Sequence, residues 1–340
     1  MYNLSIIITI IILGMLIVSH ELGHLLAAKV VGIKVHEFAI GMGPKIFDYK
    51  AGETRYTLRA FPVGGFNRIA GMEPGDEDDL RGFNKKSVAQ RSFVIAAGSF
   101  MNFVLALVLF MVVFTGIGIP SNQNIVAKIL PGGAAEQAGL KAGDRILAIN
   151  GEKTANWEEL TAMIHSNAGQ KLQFSIERDK TRFKVSITPV FDKEYKIGLI
   201  GIERMWEKQG FIDSLLLGIK QSIGLGYLLV TSLIQMLVGK IPAEVAGPIG
   251  MVQLVGQAAE FGIASILNFA AILSLNLGLI NLFPIPALDG SRLIFLGLEG
   301  LRGKPLQPEK ENLIHFVGFF LLIGLMLLIT YQDILRLFIQ

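Results

Sequence analysis

Leu16-Ile17-Val18-Ser19-His20-Glu21-Leu22-Gly23-His24-Leu25-Leu26-Ala27-Ala28 is the stretch on which the reading of this chain turns. It prolongs an apolar run that starts at Leu4, and together they can span a bilayer as one helix. Three ionisable residues within five positions of such a helix are expensive and mark a functional site. Their spacing is the His-Glu-x-x-His pattern. The i, i+4 imidazoles share a helix face and can take two positions of a tetrahedral Zn2+, while Glu21, about 100° around the axis, can act on a bound water. Chance produces the pattern in roughly one chain in a hundred of this length.

The composition agrees with a membrane setting. Hydrophobic residues make up 51% of the 340, charged residues 17%, and the mean hydropathy is +0.52. Soluble domains carry about 25% charged residues, so an ordinary soluble enzyme and a disordered chain are excluded. A net charge of +3 is too balanced for a nucleic-acid partner. The absence of cysteine removes disulfides, Cys zinc sites and thiol catalysis, leaving His, Asp and Glu to hold any metal. Met1-Tyr2-Asn3 lacks the basic n-region of a cleaved signal peptide, so the first run reads as a retained span.

A second apolar run, Ser92 to Ile119, can also span. The stretch between the two is rich in Lys and Arg from Lys29 to Arg91, so the positive-inside rule puts it in the cytoplasm and the N-terminus outside. From 124 to 207 charges return and apolar residues alternate, as in Leu172-Gln173-Phe174-Ser175-Ile176, which predicts a small soluble domain of strands. Its longest helix is expected over Asn156 to Ser166, with Asn156 as N-cap and Glu159 three residues on. Residues 211 to 238 are interrupted by Asp213, Lys220 and Gln221, which predicts an amphipathic, interfacial helix. Lys240 to Gly262 reads as a second peripheral segment. The next run, 263 to 301, breaks at Pro284 and Pro286, and 313 to 339 is a conventional span.

A catalytic zinc needs a third protein ligand. Asp289 lies at the far end of the Pro-broken segment, where an uncompensated carboxylate is costly. Alone it is equally well read as a cap for a helix starting at Gly290. Depth favours the ligand. His20 is about 24 Å from the outer surface at 1.5 Å per residue, toward the cytoplasmic side, and Asp289 reaches that depth only if 211 to 238 does not cross.

The pair His20-Glu21-x-x-His24 and Asn281-x-x-Pro284-x-x-x-x-Asp289-Gly290, flanking an extracytoplasmic insert, resembles the site-2 protease family of intramembrane zinc metalloproteases, in particular bacterial members that carry PDZ domains. The resemblance covers nearly the whole chain. It implies His20, His24 and Asp289 as zinc ligands and Glu21 as general base. Gly41 to Met72 resembles the family's membrane-embedded β-hairpin loop, and Asn276, Asn281 and Pro284 match positions that hold the substrate's unwound backbone. Gly98-Ser99-Phe100-Met101-Asn102 departs from the family's Gly-Pro-x-x-Asn by losing the proline. Ala138 to Gly151 resembles the PDZ turn-strand-turn signature, and Gly198 to Ile202 a loop that captures a chain end; a scaffold that only restricts access is the equal alternative.

The expected fold is therefore a polytopic α-helical membrane protein of about four transmembrane helices, with a membrane-associated β-hairpin and an inserted extracytoplasmic α+β PDZ domain. Its parts are an N-terminal membrane part over 1–120, the PDZ domain over 121–207, amphipathic peripheral helices over 208–262 and a C-terminal membrane part over 263–340. The implied setting is a bacterial cell membrane, with the active site toward the cytoplasm. The implied partners are the lipid bilayer, single-span membrane protein substrates such as anti-sigma factors or signal peptide remnants, and a peptide at the PDZ groove. A non-proteolytic PDZ-containing membrane chaperone or receptor, and a different class of membrane zinc protease, are the alternatives. Glu73 to Asp79 reads as a solvated loop, His36, His165 and His315 have no partner at ligand spacing, and Met101 and Met111 read as packing.

Overall fold

The computed structural model describes residues 2–72, 79–193, 195–242 and 246–339. They form two compact units, Met1–Met111 with Ile212–Gln340, and Val112–Phe211. Of the acidic stretch 73–79 only Asp79 lies within the described residues, paired with Lys34 at 3.2 Å; the rest of that loop falls outside them.

Helix α1 (Tyr2–Val30) carries the His-Glu-x-x-His residues in its second half. Strands β1 (Val35–Ala51) and β2 (Thr54–Ile69) follow, joined at Gly52, whose φ of +62° suits glycine. The resemblance implies a β-hairpin over Gly41 to Met72, and β1 and β2 do pair antiparallel. Both strands also bend near Gly41, Gly43 and Gly64, at φ of +83° to +85°, and fold back on themselves. Phe38 then pairs with Tyr56 on one side and Asn67 on the other, while Tyr49 pairs with Tyr56 from beyond, so four short segments make one antiparallel sheet. Helix α2 (Val88–Gly116) closes a shared core of Leu25, Ala28, Ile33, Val35, Phe38, Ile69 and Val94. The two helices meet at Gly23 and Gly98: a Cβ on Gly23 would strike the Ala97 carbonyl and one on Gly98 both imidazoles. Small residues permit such an approach.

The second unit is an α+β insert. Strand β3 (Ile119–Pro120) pairs with β12 (Trp206–Glu207), and β4 (Val126–Ile129) with β11 (Ile202–Arg204). After α3 (Ala134–Gln137), strands β5 (Arg145–Ile149) and β6 (Glu152–Lys153), helix α4 (Trp157–Ser166), and strands β7 (Leu172–Arg178) and β8 (Thr181–Ile187) give a sheet ordered β6-β5-β7-β8. Strands β9 (Val190–Asp192) and β10 (Ile197–Leu199) form a further pair. Leu172, Phe174 and Ile176 of β7 point into a core with Ile146, Ile149, Leu160 and Ile164, as the alternation predicts. Asn150 and Gly151, at φ of +53° and +87°, make a tight hairpin turn. Asn156 accepts the Glu159 amide at 2.9 Å and Glu159 accepts that of Ala155 at 2.9 Å, satisfying two donors at the start of α4. The stretch 198–202, expected as a capture loop, is largely taken up by β10 and β11, and the Ile200 and Gly201 carbonyls accept from Ala135 and Leu130 at 2.8 and 2.9 Å.

The remaining helices are α5 (Phe211–Leu237), α6 (Pro248–Glu260), α7 (Ile263–Leu282), α8 (Asp289–Arg302) and α9 (Pro308–Ile339). Within the described residues, Asn3–Val30, Val88–Gly116, Phe211–Met236, Ile263–Leu282 and Glu309–Arg336 are long and apolar enough to cross a membrane. Phe211–Met236, expected at the interface, has a mean hydropathy of 1.4, the lowest of the set. The Gly250 amide of α6 donates to the buried Asp333 carboxylate of α9 at 2.8 Å.

Candidate metal centre

His20 and His24 lie one turn apart on α1 with their rings edge to face, and their Nε2 atoms are 3.2 Å from each other. Asp289 arrives from the opposite end of the chain. Its Oδ2 is 3.1 Å from His20 Nε2 and 3.2 Å from His24 Nε2 and has no hydrogen-bond partner, although it is buried. The three atoms thus make a nearly equilateral triangle. Ligand atoms about 2.0–2.1 Å from one tetrahedral zinc lie roughly 3.3 Å apart, so the donors present fit zinc in kind and in spacing. Among the described residues these three are the one His and carboxylate group arranged to hold a metal.

The outer contacts of the histidines agree. His24 Nδ1 donates to the Val94 carbonyl at 2.8 Å, which leaves Nε2 with its lone pair toward the triangle. The Asn102 carboxamide of α2 lies 3.4 Å from His20 Nδ1. The amide nitrogen is the atom that faces Nδ1 here; a ligating Nε2 puts the proton on Nδ1, and turning the carboxamide over brings the amide oxygen, which otherwise has no partner, to receive it.

Asp289 owes its place to a break in the chain. Helix α7 ends at Leu282, and Pro284 and Pro286 prevent its continuation. Ala287 then adopts φ +75°, a left-handed conformation that costs a non-glycine residue about 1–3 kcal/mol. Helix α9 holds this turn. His315 Nδ1 accepts the Ala287 amide at 3.1 Å, and Gly318 packs directly against Pro286. Asp289 is the first residue of α8, whose N-cap is Leu288, so its carboxylate profits from the helix N-terminus without capping it. The alternative of a simple helix cap is therefore not what the side chain does.

A cavity of about 390 Å3 opens on the triangle, lined by Glu21, Asn67, Asn281 and Arg292 among others. The Glu21 carboxylate accepts from Asn67 Nδ2 at 2.7 Å. Of the residues expected to hold substrate, Asn281 lines the cavity, whereas Asn276, five residues earlier on α7, and the exposed Pro284 are not among its described lining. Asn67, Arg292 and His315 escaped the sequence-based reading. An amide or a cation at the edge of an apolar segment is their only trace, and His315, expected to lack a partner at ligand spacing, lies 3.8 Å from the Glu311 carboxylate one turn earlier on α9.

The chain matches peptidase family M50 over residues 8–325. It is similar to the zinc metalloprotease RasP of Geobacillus kaustophilus, at 36% identity over 98% of this chain and 99% of that protein. It is also similar to the regulator of sigma-W protease RasP of Bacillus subtilis, at 35% identity over 100% of each. The insert is similar to the PDZ domain of an SdrC-like protein from Listeria monocytogenes, at 24% identity and a TM-score of 0.23, over 26% of this chain and 92% of that one. With a family match along most of its length and relatives matched over nearly the whole of both proteins, this multi-pass membrane chain belongs to peptidase family M50, the site-2 proteases, whose chemistry is zinc-dependent intramembrane proteolysis.

Proposed function

We propose that His20, His24 and Asp289 hold the zinc, that Glu21 is the general base, and that the enzyme cuts membrane-spanning segments of single-span proteins. The observation that carries this reading is the triangle of ligand atoms at 3.1–3.2 Å with Glu21 lining the same cavity. When bound, zinc would supply a water whose pKa is lowered toward about 7 and a positive centre that polarises the scissile carbonyl. The Glu21 carboxylate takes up a proton and returns it to the leaving amine. A helical target must unwind first, because its carbonyls are already bonded. The Asn281 carboxamide and the backbone freed between Leu282 and Asp289 are the groups able to bond the extended strand.

For topology the reading is four spans, α1, α2, α7 and α9, with α5 along the outer interface. Three contacts within the membrane unit support it. Gly218, early in α5, faces Leu107 and Phe110 late in α2; Gly256 of α6 faces Ser5 at the start of α1; and Gly250 meets Asp333 near the end of α9. Both ends of α5 thus lead to the same level. With the basic stretch between α1 and α2 in the cytoplasm, the zinc site lies toward the cytoplasm and the PDZ-like insert outside.

A relative named for regulating sigma-W supports membrane-bound anti-sigma factors as one substrate class, with remnant signal peptides as the other. The insert admits or recruits them, and a peptide at its groove is the recruiting form. The test is cleavage of a tagged single-span protein in membranes by wild type and Glu21→Gln at equal expression, with zinc content measured in both. Loss of cleavage with zinc retained supports the base assignment. Equal cleavage by both removes it.

A further inference from the structure

We propose that Asn67 is a positioning residue that fixes the Glu21 carboxylate from the β-sheet; the inference rests on Glu21 being the base. Asn67 Nδ2 donates to two atoms of the same residue, Glu21 Oε2 and the Glu21 backbone carbonyl, each at 2.7 Å. Both are acceptors, so the nitrogen face of the carboxamide must point at Glu21, and both N–H groups are spent there. The amide bridges the side chain to its own backbone. Oε2 is thereby held, and Oε1 is the oxygen left to take the proton in the cavity that both residues line.

Two further observations set this contact apart from incidental packing. Asn67 Oδ1 is buried with no partner, a placement that a side chain free to choose its rotamer would avoid. Gly65, two residues earlier, brings β2 so close to α1 that a Cβ there would lie 3.2 Å from Glu21 Cγ. The sheet and the base are therefore in direct register, and any shift of β2 along α1 moves Glu21 Oε2 with it.

The experiment uses the zinc-loaded full chain in lipid with a fluorogenic single-span substrate. It compares wild type with Asn67→Leu, similar in shape but without a donor, with Asn67→Gln, which keeps the carboxamide, and with Glu21→Gln. Asn67→Leu is expected to lower kcat about ten- to a hundredfold, with KM and zinc content unchanged. Substrate affinity in the inactive Glu21→Gln background should not change when Asn67→Leu is added. Asn67→Gln should recover part of kcat. The proposal is overturned by wild-type kcat in Asn67→Leu alongside an inactive Glu21→Gln. Equal losses in the Leu and Gln variants, or losses accompanied by zinc or affinity, overturn it as well, since they mark a packing role. An active Glu21→Gln instead takes away the base assignment itself, and the role of Asn67 with it.

Discussion

His315 shows what a single side chain does for a metal site that it does not touch. Its Nδ1 receives the amide of Ala287, the strained residue two before Asp289, and its ring packs edge-on against Phe295 with centroids 5.9 Å apart. Without that acceptor the left-handed turn loses its compensation, and Asp289 is aimed less firmly. His315→Leu is therefore expected to leave the chain folded but to weaken zinc about ten- to a hundredfold, as loss of an outer-sphere partner does. The measurement is zinc release to a competing chelator. His315→Asn, whose oxygen can stand in for Nδ1, should lose less, and equal retention of zinc by wild type and His315→Leu would refute the role. His20, Glu21, His24 and Asp289 were legible in the sequence because charge in an apolar run is rare and the spacing is set by helix geometry. His315 and Asn67 were not, because each acts on a residue far along the chain.

At the scale of elements, legibility followed periodicity. The alternating β7, the Asn156 cap and the Pro-broken end of α7 came out as read, since a local pattern determines each. The bends that fold the β1–β2 hairpin back on itself did not, because they depend on which segments pair across the fold. The insert also rests on a polar element invisible to periodicity. Asp144 is fully buried, accepts from Arg178 at 2.6 and 2.7 Å and from the Lys141 amide at 2.8 Å. Burial pushes its carboxyl up, but the Arg178 guanidinium and the Lys141 N–H outweigh this and hold it below the usual range. A carboxyl lowered in the folded state stabilises fully above its unfolded value near 4, and the contribution is lost as pH falls through the folded value. Both tryptophans, Trp157 and Trp206, lie in the insert, so fluorescence reports its unfolding alone. Wild type should lose stability as pH drops below about 4. Asp144→Asn should be less stable at neutral pH and lack most of that acid dependence; an unchanged acid midpoint would assign the stability to other groups.

For the whole molecule, the meeting of Asp289 with His20 constrains the path of the chain through the bilayer. On the proposed topology α1 enters from outside and delivers His20 near its inner end, and the pairing of His20 with Asp289 then requires α7, whose end leads to Asp289, to run inward as well. That topology puts the chain outside both before α5 and before α7, and a crossing by α5 would break the parity. Length and hydropathy alone allow α5 to cross, which is why composition could not settle the matter. The chain contains no cysteine, so single cysteines can be labelled without background. Lys180→Cys in the β7–β8 turn, Lys240→Cys beyond α5 and Lys85→Cys before α2 are exposed positions in three different connections. With four spans, a membrane-impermeant maleimide should label the Lys180→Cys and Lys240→Cys variants in intact cells, and the Lys85→Cys variant only after permeabilisation. If the Lys240→Cys variant also required permeabilisation, α5 would cross; α7 would then run outward and could not bring Asp289 to the depth of His20 without a further reversal of the chain between Lys240 and Ile263.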